Sequence, residues 1–187
     1  MATCRNTPFA RAQMLFVLFF VSSCGFAYKP TAGGTPGNKM IYSIPLEGHA
    51  LDLTAGVANK KDTGAFDVMV WIHPVGSKDS LRINWMKLSL IGRKRDTQPY
   101  ALKEVLLFKE GDWGKPVRPF NDTTITGLDL HAGTYRLDYH FAGVKRRPVG
   151  HALQIGVTGS FTQAGKKRKV EQAIDFKRFF WFDLAGN

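Results

Sequence analysis

The sequence predicts an all-β chain, an antiparallel β-sandwich of about eight to nine strands. Three observations carry this. Apolar residues recur with a period of two, not 3.6, from residue 39 onward. The alternating stretches are short and separated by Gly, Pro and basic turn residues. The chain is 44% hydrophobic, 12% aromatic and 22% charged, a balance that supports a core.

In chain order, 40–46 is a first strand, placed at an edge by Pro45. Residues 49–54 alternate around Leu51 and Leu53, and 65–72 put Phe66, Val68, Val70 and Ile72 on one face. Residues 80–91 begin with Leu81, Ile83 and Trp85 inward and then switch to Met86, Leu88 and Leu90. That change of parity predicts a bulge near 85–87. Strands follow at 101–109, 123–126 and 133–141, the last with Tyr135, Leu137, Tyr139 and Phe141 on one face. Leu153, Ile155, Val157 and Phe161 mark another, and 170–182 closes the chain. Its aromatic run from Phe179 to Phe182 and its period of two favour a strand over a helix.

The stretch LDLHAGTYRLDY at 128–139 resembles the corner before a late strand in immunoglobulin- and fibronectin-like sandwiches. By that resemblance the fold is immunoglobulin-like, Tyr135 is the corner residue and Gly133 makes the turn. A fold of this kind implies no particular function.

The N-terminus reads as an address. Residues 1–13 carry Arg5 and Arg11 and no acidic residue. The apolar run 14–21 follows, then mostly small residues to Ala27. This is the anatomy of a secretory signal peptide, and the run is too short to span a bilayer, which takes ~20 apolar residues. Val21-Ser22-Ser23-Cys24 resembles a bacterial lipobox. That resemblance implies cleavage before Cys24, a diacylated Cys24 thiol (palmitate among the chains) and a further acylated N-terminus. With Gly25 rather than Asp after the cysteine, it implies an outer-membrane lipoprotein facing the periplasm. Gly25-Phe26-Ala27 offers a competing cut after Ala27 that would release a soluble periplasmic protein. Cys4 is lost with the leader, and a lone Cys24 thiol is a liability in an oxidising compartment, which favours acylation. Two lipid signals at one residue give stable anchoring where one chain would not. The expected organisation is therefore a signal peptide at 1–23, a lipid-anchored flexible tether at 24–38 and a sandwich at 39–187. The Gly, Pro and Thr of 28–38 suggest the tether, which at full extension reaches at most about 50 Å.

The formal charge is +11, and loss of Arg5 and Arg11 with the leader lowers it to +9. Such a surface favours anionic partners: lipid phosphates, acidic glycans or an acidic protein. Export argues against nucleic acid. Three basic clusters fall between predicted strands: Arg93, Lys94 and Arg95; Lys145, Arg146 and Arg147; Lys166, Lys167, Arg168 and Lys169. They are candidate contacts for an anionic surface or acidic partner, although basic turns also serve simply to keep edges apart. The second and third clusters flank one strand and so belong at its opposite ends. Trp113, in a Pro- and Gly-containing loop, is a candidate partner anchor or a cap on the core.

The search for chemistry returns no constellation. His49, His73, His131, His140 and His151 form no HExxH and no zinc spacing, so no metal or cofactor is expected. Asp138 and His140 share a strand face, Ser160 lacks a nucleophile elbow, and Asp129 and Asp138 would need burial to act as an acid–base pair. No catalytic residue is assigned. The expected function is a non-catalytic, lipid-anchored periplasmic binding module working through a protein partner, as a secretion or assembly component. An immunity or inhibitor lipoprotein that neutralises a toxic effector, and an envelope hydrolase built on His140 and Asp138, are the alternatives.

Overall fold

Alternation decides which side of each strand faces inward, and the two inward sides bury one another. The structure is a computed structural model that describes residues 24–32, 34–35, 38–56, 66–75, 79–92, 99–120, 122, 124–142 and 152–182. Its strands are β1 (Cys24–Pro30), β2 (Gly34–Thr35), β3 (Asn38–Pro45), β4 (His49–Gly56), β5 (Phe66–Pro74) and β6 (Leu81–Gly92). Then come β7 (Ala101–Lys109), β8 (Arg118–Phe120), β9 (Thr124–Leu130), β10 (Tyr135–Ala142), β11 (Ala152–Gln163) and β12 (Lys166–Phe182). A five-stranded sheet runs β1-β12-β11-β6-β9 and a seven-stranded sheet runs β2-β3-β4-β5-β10-β7-β8, every pair antiparallel. The core is a single cluster. Leu53, Val70, Leu137 and Tyr139 come from the larger sheet, and Ile83, Met86, Leu90, Ile155 and Phe176 from the smaller. The expected antiparallel β-sandwich is what the chain forms.

Four expectations change in detail. The described residues make twelve strands, not eight or nine. β2 and β8 have two and three residues, too few to show a period, and β1 lay in the presumed tether. That tether is itself corrected from Cys24 to Pro30. β1 pairs with β12 from Cys24↔Phe182 to Pro30↔Phe176. Tyr28 is 4% exposed in the core, its ring edge-on to Phe66 at 5.1 Å. The described sandwich therefore includes Cys24 to Pro30 and does not start at residue 39. Burial of an aromatic against the opposite sheet outweighs the flexibility that nearby Gly and Pro suggest.

Trp85 faces outward, 39% exposed, not inward. The parity of β6 changes one residue earlier than expected, because the register against β11 jumps from Ile83↔Phe161 to Trp85↔Ser160 and leaves Asn84 as the extra residue. The Asn84 amide closes this bulge, donating to Thr162 Oγ1 at 2.8 Å and Ser160 Oγ at 3.3 Å. Finally, Lys166–Lys169 is not a connection between strands. It opens β12. The connection is the two-residue turn Ala164-Gly165, with φ of 47° and 76°, the left-handed pair that suits the twist of a tight hairpin.

The corner at Tyr135 holds in part. Tyr135 is buried and Gly133 turns the chain with φ of +124°. That turn is tied to the loop after β7: the Glu110 N–H donates to Thr134 O at 2.9 Å, and the Thr134 N–H to Glu110 Oε2 at 3.1 Å.

Candidate functional site

Register divides the sandwich into two ends. At one end Pro30, Phe176, Leu153 and Gly92 are aligned across β1, β12, β11 and β6. β1 and β12 continue past them, and past the last β11 pair at Ala152↔Lys177, as a two-stranded ribbon up to Cys24↔Phe182. Gly92, Ala101, Ala142 and Ala152, from which segments 93–98 and 143–151 leave and return, lie at this end. Those segments hold the clusters Arg93–Lys94–Arg95 and Lys145–Arg146–Arg147, which lie outside the described residues, as does His151. The side chain of Cys24 is likewise outside them; its backbone opens β1.

The other end carries the third cluster. Gln163↔Lys166 is the last pair of the β11–β12 hairpin, so the second and third clusters do belong to opposite ends of β11. Lys166 Nζ donates to Glu47 Oε1 at 2.8 Å, tying this hairpin to the turn between β3 and β4 of the other sheet. Glu47 raises the Lys166 pKa through that hydrogen bond and its charge. Lys167, Arg168 and Lys169 are exposed, and among the described residues no ion pair engages them.

The outer face of the seven-stranded sheet holds Asp138 and His140, together with partners that sequence did not reveal. The Arg136 guanidinium donates from Nε and Nη2 to Asp138 Oδ1 and Oδ2 at 2.7 and 2.9 Å. Its carbon lies 4.6 Å from the Phe108 ring centre, 5.2 Å from Trp71 and 5.5 Å from Trp113. Trp113 does not cap the end of the core. It is half-buried on this outer face, edge-on to Trp71 at 5.2 Å. The loop 110–117 folds back over Arg136, held by the Asp112 N–H on Lys109 O at 3.1 Å and the Val117 N–H on Leu107 O at 2.6 Å. An arginine stacked among three rings and bidentate to a carboxylate is a rigid, amphipathic patch. Trp71 and Arg136 stand at paired positions on β5 and β10. Their shared polar parity was the one signal in the sequence that would have joined them.

Farther along the same face His140 Nδ1 meets Asp67 Oδ1 at 2.5 Å. The Asp67 hydrogen bond lifts the His140 pKa, burial opposes it, and the charges of Asp67, Glu104 and Asp138 add to the lift. Burial raises the Asp138 pKa, with Arg136 pulling the other way. Toward the opposite end an open hollow is lined by Ile41, Asp52, Trp71, His73, Pro74 and Thr134. In it His73 Nδ1 is 3.8 Å from Asp52 Oδ2.

The remaining candidates separate. His131 is exposed in the turn before β10, apart from Asp138 and His140 on the strand. Asp129 pairs with Arg82 at 3.0 Å on the outer face of the five-stranded sheet, so Asp129 and Asp138 lie in different sheets and cannot share a substrate atom. Ser160 is buried beside the bulge and accepts from Asn84. Among the described residues no three His, Cys, Asp or Glu stand together as metal ligands, and no helix is long and apolar enough to cross a membrane.

No protein-family model and no curated protein matches the chain. Among solved structures it is similar to the GAE domain of GGA2p from Saccharomyces cerevisiae. That match has a TM-score of 0.38 and 7% identity, covering 72% of this chain and 96% of that one. It is also similar to the GAE domain of yeast GGA1, with a TM-score of 0.37, 8% identity and the same coverage.

Proposed function

We propose that this chain is a non-catalytic, lipid-anchored binding module of the bacterial envelope, an outer-membrane lipoprotein that engages a periplasmic protein. One observation carries the reading. Cys24, before which a lipobox leader would be cut, is itself paired in the sandwich, opposite Phe182 of β12. A cut before Cys24 keeps all seven described β1–β12 pairs. The competing cut after Ala27 would delete Cys24 to Ala27, four of the seven residues paired with β12, and expose the strand edge they cover.

The rest of the surface agrees with this assignment. Segments 93–98 and 143–151, each with three basic residues, join strands at the Cys24 end, where anionic headgroups would lie. The third cluster lies at the far end, towards the periplasm. His140 and Asp138 are each committed to a partner within the sheet surface, Asp67 and Arg136, which supports a structural rather than a catalytic role.

The test is fatty-acid analogue labelling, intact mass and in-cell crosslinking of wild type and Cys24→Ala. The expected result is a lipidated mature chain beginning at Cys24 and one stoichiometric protein partner, both lost in the variant. An unlipidated chain beginning at Tyr28 would overturn the anchor. Lipidation without any captured protein would overturn the binding role.

A further inference from the structure

β12 is a 17-residue strand with unequal cover on its two sides. β11 pairs with it from Lys166 to Lys177. On the other side β1 covers only Phe176 to Phe182, and the Thr31 N–H adds one bond to Asp175 O at 2.8 Å. The reason lies in the sequence. The ladder stops after the Thr31 bond, one residue past Pro30. The Gly- and Pro-rich residues after Thr31 then carry the chain to β3 in the other sheet. No described strand pairs with residues 166–174 on this side.

Backbone groups in an antiparallel strand point alternately to its two neighbours. Asp175 O faces β1, so the N–H and C=O of Ala173, Glu171, Lys169 and Lys167 face the uncovered side. Side chains here are exposed except Val170 and Ile174. Lys166 is occupied by Glu47, while Lys167, Arg168 and Lys169 carry three positive charges along the edge.

We propose that the edge of β12 from Lys167 to Ala173 receives an extended acidic segment of a partner protein as an added strand. This deepens the binding-module reading and rests on it. Sign decides the occupant. A second copy paired about Arg168 would set Lys and Arg against Lys and Arg, and like charges directly opposite destabilise a strand pair; one paired about Val170 would match Lys169 with Glu171 but leave Lys167 and Arg168 without an acid, whereas an acidic segment meets all three. The same lysines that block self-pairing give cross-strand pairs to Asp or Glu. The backbone ladder supplies affinity, and the alternate side chains supply selection. Beside the edge lies a small recess lined by Leu46, Leu81, Phe161, Gln163 and Arg168.

The experiment uses the full chain in mild detergent and three labelled peptides: one alternating Glu and Val, one with Lys in place of Glu, and the Glu peptide N-methylated at alternate amides in each register. The Glu peptide is expected to bind and to slow hydrogen exchange at the amides of Lys167, Lys169, Glu171 and Ala173. Methylation in one register should weaken it about tenfold, and Lys169→Glu should shift preference towards the Lys peptide. Binding that ignores methylation in both registers would mean attraction of a polyanion only and overturn the proposal. So would unprotected edge amides, equal binding of the Lys peptide, or concentration-dependent self-association that protects the same amides. A partner captured in cells whose binding leaves these amides unprotected would sink the edge proposal alone. Protection by the Glu peptide with no partner captured in cells would sink the binding role instead.

Discussion

His140 on β10 and Asp67 on β5 stand at paired positions, Nδ1 to Oδ1 at 2.5 Å, and hold two central strands of the larger sheet together from its outer face. Asp67 favours the protonated imidazole in the fold. The stabilisation is therefore complete below the ordinary histidine value and is lost as pH rises through the raised value of the folded state. Urea unfolding followed from about pH 5 to about pH 9 should show stability falling above about pH 6.5. Asp67→Asn should flatten that slope. A slope that survives the substitution would assign it to another group.

Tyr28 separates a strand from a tether. As a core residue packed on Phe66, it should lose about 3 kcal/mol on Tyr28→Ala. A residue on a free tether would change stability by less than about 0.5 kcal/mol. Thermal unfolding of the two chains decides between them.

Trp113 anchors the loop 110–117 over Arg136. Trp113→Ala should cost about 1–2 kcal/mol, from lost ring packing and the lost cation–π contact, and should red-shift the emission of Trp71 as water reaches it. Arg136→Lys should reproduce most of that loss, because an ammonium neither stacks nor bonds Asp138 in bidentate fashion. An Arg136→Lys chain as stable as wild type would mean the stacking contributes nothing.

Tyr139 is fully buried, and its hydroxyl finds no partner among the described residues. Burial drives its pKa far upward. A buried, unpaired hydroxyl is a net penalty, so Tyr139→Phe should raise stability by about 1 kcal/mol. A loss of stability in denaturant titration would show that the hydroxyl has a partner after all.

The inward face of each long strand was legible from period alone. Val68, Val70 and Ile72, or Leu137, Tyr139 and Phe141, can only sit as they do in a half-buried strand. β1 was not, because composition is local and its partner is not. Tyr28 is hidden among turn-forming residues, and only the strand at the far end of the chain gives it a place. Trp85 misled for a related reason: parity fixes a face only until an extra residue enters, and Asn84 supplies that residue one position before the pattern breaks. The basic cluster of β12 was found as a string of charges. That it lies along an uncovered edge depends on where β1 stops, and no property of the cluster itself reveals it. The Arg136 patch joins β5, β7, β10 and a loop, and pairing of that kind is a property of topology.

Among the described strands β1 has one ladder partner, and that partner, β12, is the last of them in chain order. A chain synthesised or threaded amino end first holds β1 idle while nearly every other strand appears. Closing that pair spans almost the whole sequence, with the slow search that distant contacts impose. Completion of the smaller sheet therefore waits on β12: until that strand is present, the described residues of β1 have no ladder partner and the Cys24 end of the sheet stays open.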